Sequence, residues 1–193
     1  MTFRPILILS LASLVAAAAS LSGCVPLVVG AAVGGTALVA TDRRSVGAQA
    51  DDESIELKIG NVRNSRWGDQ VHVNVTSYNG IVLLSGEVPD AKIKADMEEI
   101  ARTTNPVKRV YDEVEVRPVT TLSERTNDTY ITSKVKARFV EQTAFSATHV
   151  KVVTERGVVY LMGLVRKDEG DAAARIASTT SGVVRVVKLF ETI

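Results

Sequence analysis

The chain has one cysteine, two histidines and one tryptophan among its 193 residues, and only 5% of them are aromatic. A single cysteine cannot close an internal disulfide, so a disulfide-stapled scaffold is excluded. With only His72 and His149 available, a cysteine–histidine or serine–histidine–acid constellation has few places to form. Scarce aromatics beside abundant valine suit small sheets rather than large aromatic pockets. Charge of one sign is missing as well, with 23 Lys and Arg against 22 Asp and Glu. A nucleic-acid binder normally carries a strong basic excess, so nucleic acid is not an expected partner. No glycine-rich phosphate loop and no recognised metal-ligand spacing occurs. No catalytic residues, cofactor, metal or small-molecule substrate are expected, and the chain reads as non-enzymatic.

What is there begins with the cysteine itself. Cys24 closes Leu21-Ser22-Gly23-Cys24, behind Arg4 and an apolar run from Ile6 to Leu21. A charged start, an apolar stretch and small residues before a cut describe a secretory signal peptide, and the four residues resemble a lipobox. In that reading residues 1–23 are removed and Cys24, acylated, becomes the new N-terminus. Arg4 is the only charge lost, so the mature chain is formally neutral. Each buried methylene is worth about 0.8 kcal/mol, so several acyl chains give a firm anchor. Residues 24–50 are read as the lipidated terminus and a flexible tether. Gly30 and Gly34 have the spacing of close helix contacts in membranes, but the apolar stretch from Val25 to Ala40 is short for a span. A flexible segment of roughly 26 residues, Val25 to Ala50, reaches about 28 Å, and Asp42-Arg43-Arg44-Ser45 is read as the entry into water.

The remainder is an internal duplication. Val73, Val75, Gly80, Val82, Leu84, Gly86 and Val88 align with Val150, Val152, Gly157, Val159, Leu161, Gly163 and Val165. Each copy starts with helical spacing, Ile55-Ile59-Val62 and Ile131-Val135-Phe139. Alternation at Val71, Val73 and Val75 predicts a strand, and Asn79-Gly80 predicts a tight hairpin. Ile81 to Leu84 is apolar on both faces, as a central strand would be. Asp90 is placed to cap a second helix with Ile93, Met97 and Ile100 inward. A crossover to a last strand should make it parallel to its neighbour. The predicted class is α+β: two tandem αββαβ domains, residues 51–117 and 127–193, each a three-stranded mixed sheet on two helices. The first helices are expected over Asp52–Asn64 and Thr129–Gln142.

These paired signatures resemble BON domains, and a tandem pair behind a lipobox resembles the dual-BON lipoproteins of bacterial outer membranes. Asn127-Asp128-Thr129-Tyr130-Ile131-Thr132 and Leu161-Met162-Gly163-Leu164-Val165 carry some of the closer likeness. The resemblance implies lipid anchoring at the outer membrane with the domains in the periplasm. It also implies a role in envelope integrity at the division site, and anionic phospholipid binding by the first helix of the second domain. Where the family has a tryptophan near the start of that helix, this chain has Tyr130, which also suits a lipid interface. The expected lipid-binding residues are Tyr130, Ser133, Lys134, Lys136, Ala137 and Val140, with Arg138 alongside. The same face could belong to an ordinary solvated helix. Alternatively, both domains could form a periplasmic scaffold for outer-membrane assembly or division proteins. Asp51-Asp52-Glu53 is read as a helix start, His72 and His149 as polar strand positions that correspond through repeat ancestry, and Trp67 as packing on its own domain.

Overall fold

The structure is a computed structural model and describes residues 42–193. The expected signal peptide, Cys24, the Gly30–Gly34 pair and the tether up to residue 41 lie outside the described residues. The elements are α1 (Val46–Arg66), β1 (His72–Tyr78), β2 (Ile81–Val88), α2 (Ala91–Thr103) and β3 (Arg109–Val116), then α3 (Leu122–Glu141), β4 (Lys151–Glu155), β5 (Val158–Val165), α4 (Lys167–Ser178) and β6 (Arg185–Thr192). Among the described residues, no helix is long and apolar enough to cross a membrane.

The topology is αββαβ, twice. β1 pairs antiparallel with β2 through Tyr78↔Ile81, and β2 pairs parallel with β3 through Val82↔Val110. β4, β5 and β6 repeat the pattern. The hairpins turn on Asn79-Gly80 and Arg156-Gly157, all four with positive φ. Arg156 adopts this conformation without being glycine, and Asp128 explains how: its carboxylate accepts from the Arg156 and Gly157 amides at 2.7 and 2.8 Å. Asp52 does the same for Asn79 and Gly80 at 2.7 and 2.8 Å, and also takes Ser77 Oγ at 2.6 Å. Asp52 is therefore not part of a solvated helix start. It is buried, 3% exposed, and ties the first helix to the hairpin.

Gly86 and Gly163 occur because the strands pass too close for a side chain. A Cβ on Gly86 would meet the His72 carbonyl oxygen at 2.0 Å, and one on Gly163 would meet that of His149 at 2.3 Å.

Every residue of β2 is buried. Val82, Leu84 and Val88 face the first domain's helices in a core with Ile55, Ile59, Met97 and Val114. Ile81 and Leu83 point the other way, into a cluster with Tyr78, Tyr160, Met162 and Leu189. The second sheet divides its residues in the same manner, with Val159 and Leu161 on Ile131, Val135 and Phe139. The two sheets thus pack face to face, with helices on the outer faces. Burying each such apolar side chain contributes about 1.5–3 kcal/mol. This apolar seam holds one domain on the other.

Both first helices begin earlier than the hydrophobic spacing predicts. α1 starts at Val46, with Ser45 Oγ capping the Ala48 amide, so residues 46–50 are helix rather than tether. Residues 42–44 are held too. Arg43 donates to Glu169 at 2.6 and 2.9 Å and to the Leu164 carbonyl at 2.9 Å. Arg44 pairs with Asp42 and Asp52 and lies 4.1 Å over the Tyr78 ring. The stretch read as an entry into water is instead a clasp across both domains. α3 starts at Leu122, seated by a capping box between Thr121 and Glu124 that reciprocally satisfies free amides.

Candidate functional site

The expected lipid-binding residues lie on α3, whose buried positions Asp128, Ile131, Val135 and Phe139 anchor it to its own sheet. A helix fixed along that line must present the opposite line to its surroundings. That line is Leu122, Thr126, Tyr130, Ser133, Ala137 and Val140, all exposed. Leu122 is 80% exposed, Tyr130 63% and Val140 74%, so the line carries three large apolar side chains in solvent. The stripe runs the length of the helix, about 27 Å at 1.5 Å per residue. Leu122, Thr126 and Tyr130 line an open hollow at its start. Hydrophobic spacing alone starts the helix seven residues late and passes over Leu122 and Thr126, whose presence on it the Thr121-x-x-Glu124 pattern signals.

The cations beside the stripe differ in what they are free to do. Between Thr129 and Val140 the sequence carries Lys134, Lys136 and Arg138 and no acid. Lys136 is exposed. Lys134 donates to the Ser181 carbonyl, and its ammonium lies 4.5 Å from the Tyr130 ring centre. Arg138 is spent internally, on the Ile176 carbonyl at 2.8 Å and the Thr179 and Thr180 hydroxyls at 3.0 and 2.8 Å. Ser133 Oγ donates back to the Thr129 carbonyl at 2.9 Å, so its hydroxyl serves its own helix.

A second constellation lies where the domains meet, built from residues too far apart in the sequence for spacing to signal it. His72 is not without acidic neighbours: the sheet packing sets it beside Glu87 of its own domain and Glu155 of the other. One donor atom from each of the three lies within 4.8 Å of the others. His72 Nε2 is 3.7 Å from Glu155 Oε1. Burial, reinforced by Arg125, depresses the His72 pKa. Burial likewise pushes the Glu155 carboxyl up to about 7, with Glu87 and Asp128 adding to the effect and Asn74 opposing it. His72 and Glu155 also wall a cleft of about 450 Å³, lined in part by Arg125, Thr129, Ser133 and Lys136. Trp67 packs against the first domain's core, as expected.

The BON-domain family model matches residues 51–118 and again residues 127–193. The chain belongs to the BON-domain family. The BON copies coincide with the two αββαβ units. Among similar proteins is the outer membrane lipoprotein DolP of Haemophilus influenzae, 39% identical over 99% of this chain and 98% of its own length. The 21 kDa hemolysin of Actinobacillus pleuropneumoniae is 32% identical, covering 77% of each chain. The osmotically-inducible protein Y of Escherichia coli is 28% identical over 77% of this chain and 76% of its own.

Proposed function

We propose that the protein is a non-enzymatic outer-membrane lipoprotein that binds anionic phospholipid through α3 of its second BON domain. Cys24 supplies the anchor, and the domains face the periplasm. The similarity to DolP along nearly the whole chain supports the outer-membrane address. The observation that carries the lipid reading is the α3 stripe, in which Leu122, Tyr130 and Val140 stand out into solvent beside the exposed Lys136. An apolar line flanked by cations suits the boundary between acyl chains and anionic headgroups. The face alone is small, and tethering compensates by raising its effective concentration at the membrane. The proposal includes the role in envelope integrity at the division site that the family resemblance implies.

Vesicle flotation with the soluble part, residues 42–193, tests this reading. Binding should require anionic lipid, weaken with salt and fall on Tyr130→Glu. Failure to bind vesicles of any composition would rule it out and favour α3 as a docking face for envelope proteins. Mass spectrometry of the mature N-terminus tests the anchor separately, since an unmodified Cys24 refutes it.

A further inference from the structure

We propose that His72, Glu87 and Glu155 form a divalent transition-metal site, best suited to Zn²⁺, that links the two BON domains. The donor set is one imidazole and two carboxylates, a combination zinc accepts together with a water in the fourth position. Ligand atoms around such an ion stand roughly 3–3.5 Å apart when each is about 2.0–2.2 Å from it. The 3.7 Å between His72 Nε2 and Glu155 Oε1, and the 4.8 Å limit for the three donors, need only small rotations to reach that arrangement.

Two features separate this cluster from a chance gathering of acids. Each carboxylate has one oxygen already held. Asn74 Nδ2 donates to Glu155 Oε2 at 2.9 Å, while the Thr120 amide and hydroxyl donate to Glu87 Oε2 at 3.2 and 3.1 Å. Such outer partners orient metal ligands and are themselves worth about 10–100-fold in affinity. The remaining oxygen of Glu87, Oε1, is fully buried and accepts no hydrogen bond. Its nearest cation is Arg156, at 3.8 Å and shared with Glu124 at the same distance, too far for a hydrogen bond. A buried carboxylate oxygen left in that condition is costly, and a divalent ion balances the two carboxylates. Because two ligands come from the first domain and one from the second, the ion would clamp the seam, and the adjoining cleft offers it a way in.

The test is a Zn²⁺ titration of the full chain in detergent micelles by calorimetry, with Co²⁺ absorption as a second probe of the ligand set. One Zn²⁺ per chain is expected, with a Zn²⁺-dependent rise in Tm. Glu155→Gln, which keeps the Asn74 side in place, and His72→Gln should each lower the affinity at least about tenfold and abolish the Tm rise. Absence of stoichiometric Zn²⁺ binding in the wild-type chain overturns the proposal. So does binding that both variants leave unchanged, because the ion then sits elsewhere.

Discussion

The first helices of the two domains, α1 and α3, occupy matching places in the duplicated fold and differ on the side turned to solvent. Their inward positions correspond: Asp52 with Asp128, Ile55 with Ile131, and Ile59 with Val135, all buried. Their outward lines do not. α1 presents Val46, Ala50, Ser54, Leu57, Asn61 and Asn64 where α3 presents Leu122, Thr126, Tyr130, Ser133, Ala137 and Val140. Beside that line α1 carries Glu53 and Glu56, with Glu56 drawn into an ion pair with Lys151 of the other domain. Packing constrains the inner line because a lost core contact costs several kcal/mol. The outer line pays no such penalty for change, so it is where duplicated domains can diverge in function.

The largest expected effect probes what the helices share. Asp52→Ala should destabilise the protein by about 2–4 kcal/mol, since it leaves the Ser77 hydroxyl and the Asn79 and Gly80 amides unpaired and removes one of the two carboxylates that hold Arg44. Asp128→Ala, which strands two backbone amides, should cost about 1–3 kcal/mol. Urea denaturation of both variants checks the order. Equal losses would show that the Arg44 clasp contributes little.

The next test concerns the proposed lipid face. Tyr130→Glu should weaken binding to anionic vesicles about tenfold, equivalent to about 1.4 kcal/mol, while Ser54→Glu at the matching place on α1 should leave it unchanged. A smaller effect is expected for Lys136→Ala. At about 1 kcal/mol per cation near an anionic surface, affinity should fall roughly fivefold and its salt dependence should flatten. Lys58→Ala on α1 should do neither. Vesicle titrations at two salt concentrations read both outcomes.

The last prediction concerns the clasp and is read from the acid side. Hydrogen bonding from Arg43 holds the Glu169 carboxyl down at about 2, against burial that opposes it. A carboxyl depressed in the folded state stabilises fully above its ordinary pKa of about 4.5 and loses that contribution as pH falls toward 2. Stability should therefore drop through this acid window, and Arg43→Ala should make the drop shallower. Thermal unfolding between pH 2 and 5 measures it.

The fold was legible because its signals are local and occur twice. The apolar spacing of Ile55-Ile59, the Asn79-Gly80 turn and the two-faced β2 segment each report on their own few residues, and the duplication lets one copy check the other. The outward position of Tyr130, Ala137 and Val140 also follows from helical spacing once Ile131 and Val135 face inward. Other parts were hidden. Arg43 looked like a solvated charge because Glu169 is 126 residues away in the chain. Lys134 and Arg138 looked as free as Lys136 because their carbonyl partners come from α4 and the residues that follow it.

By itself the sequence determined two αββαβ units, their strand order, and which line of each helix turns away from its sheet. These depend on periodicity and turn chemistry, which act over a few residues. Only the tertiary structure decided that the sheets pack face to face, that residues 42–44 clasp both domains, and that His72, Glu87 and Glu155 meet at the seam. The reason is that a strand with two apolar faces announces that both must be covered without saying by what. The second sheet covers the first, and every contact between them joins residues the chain keeps far apart.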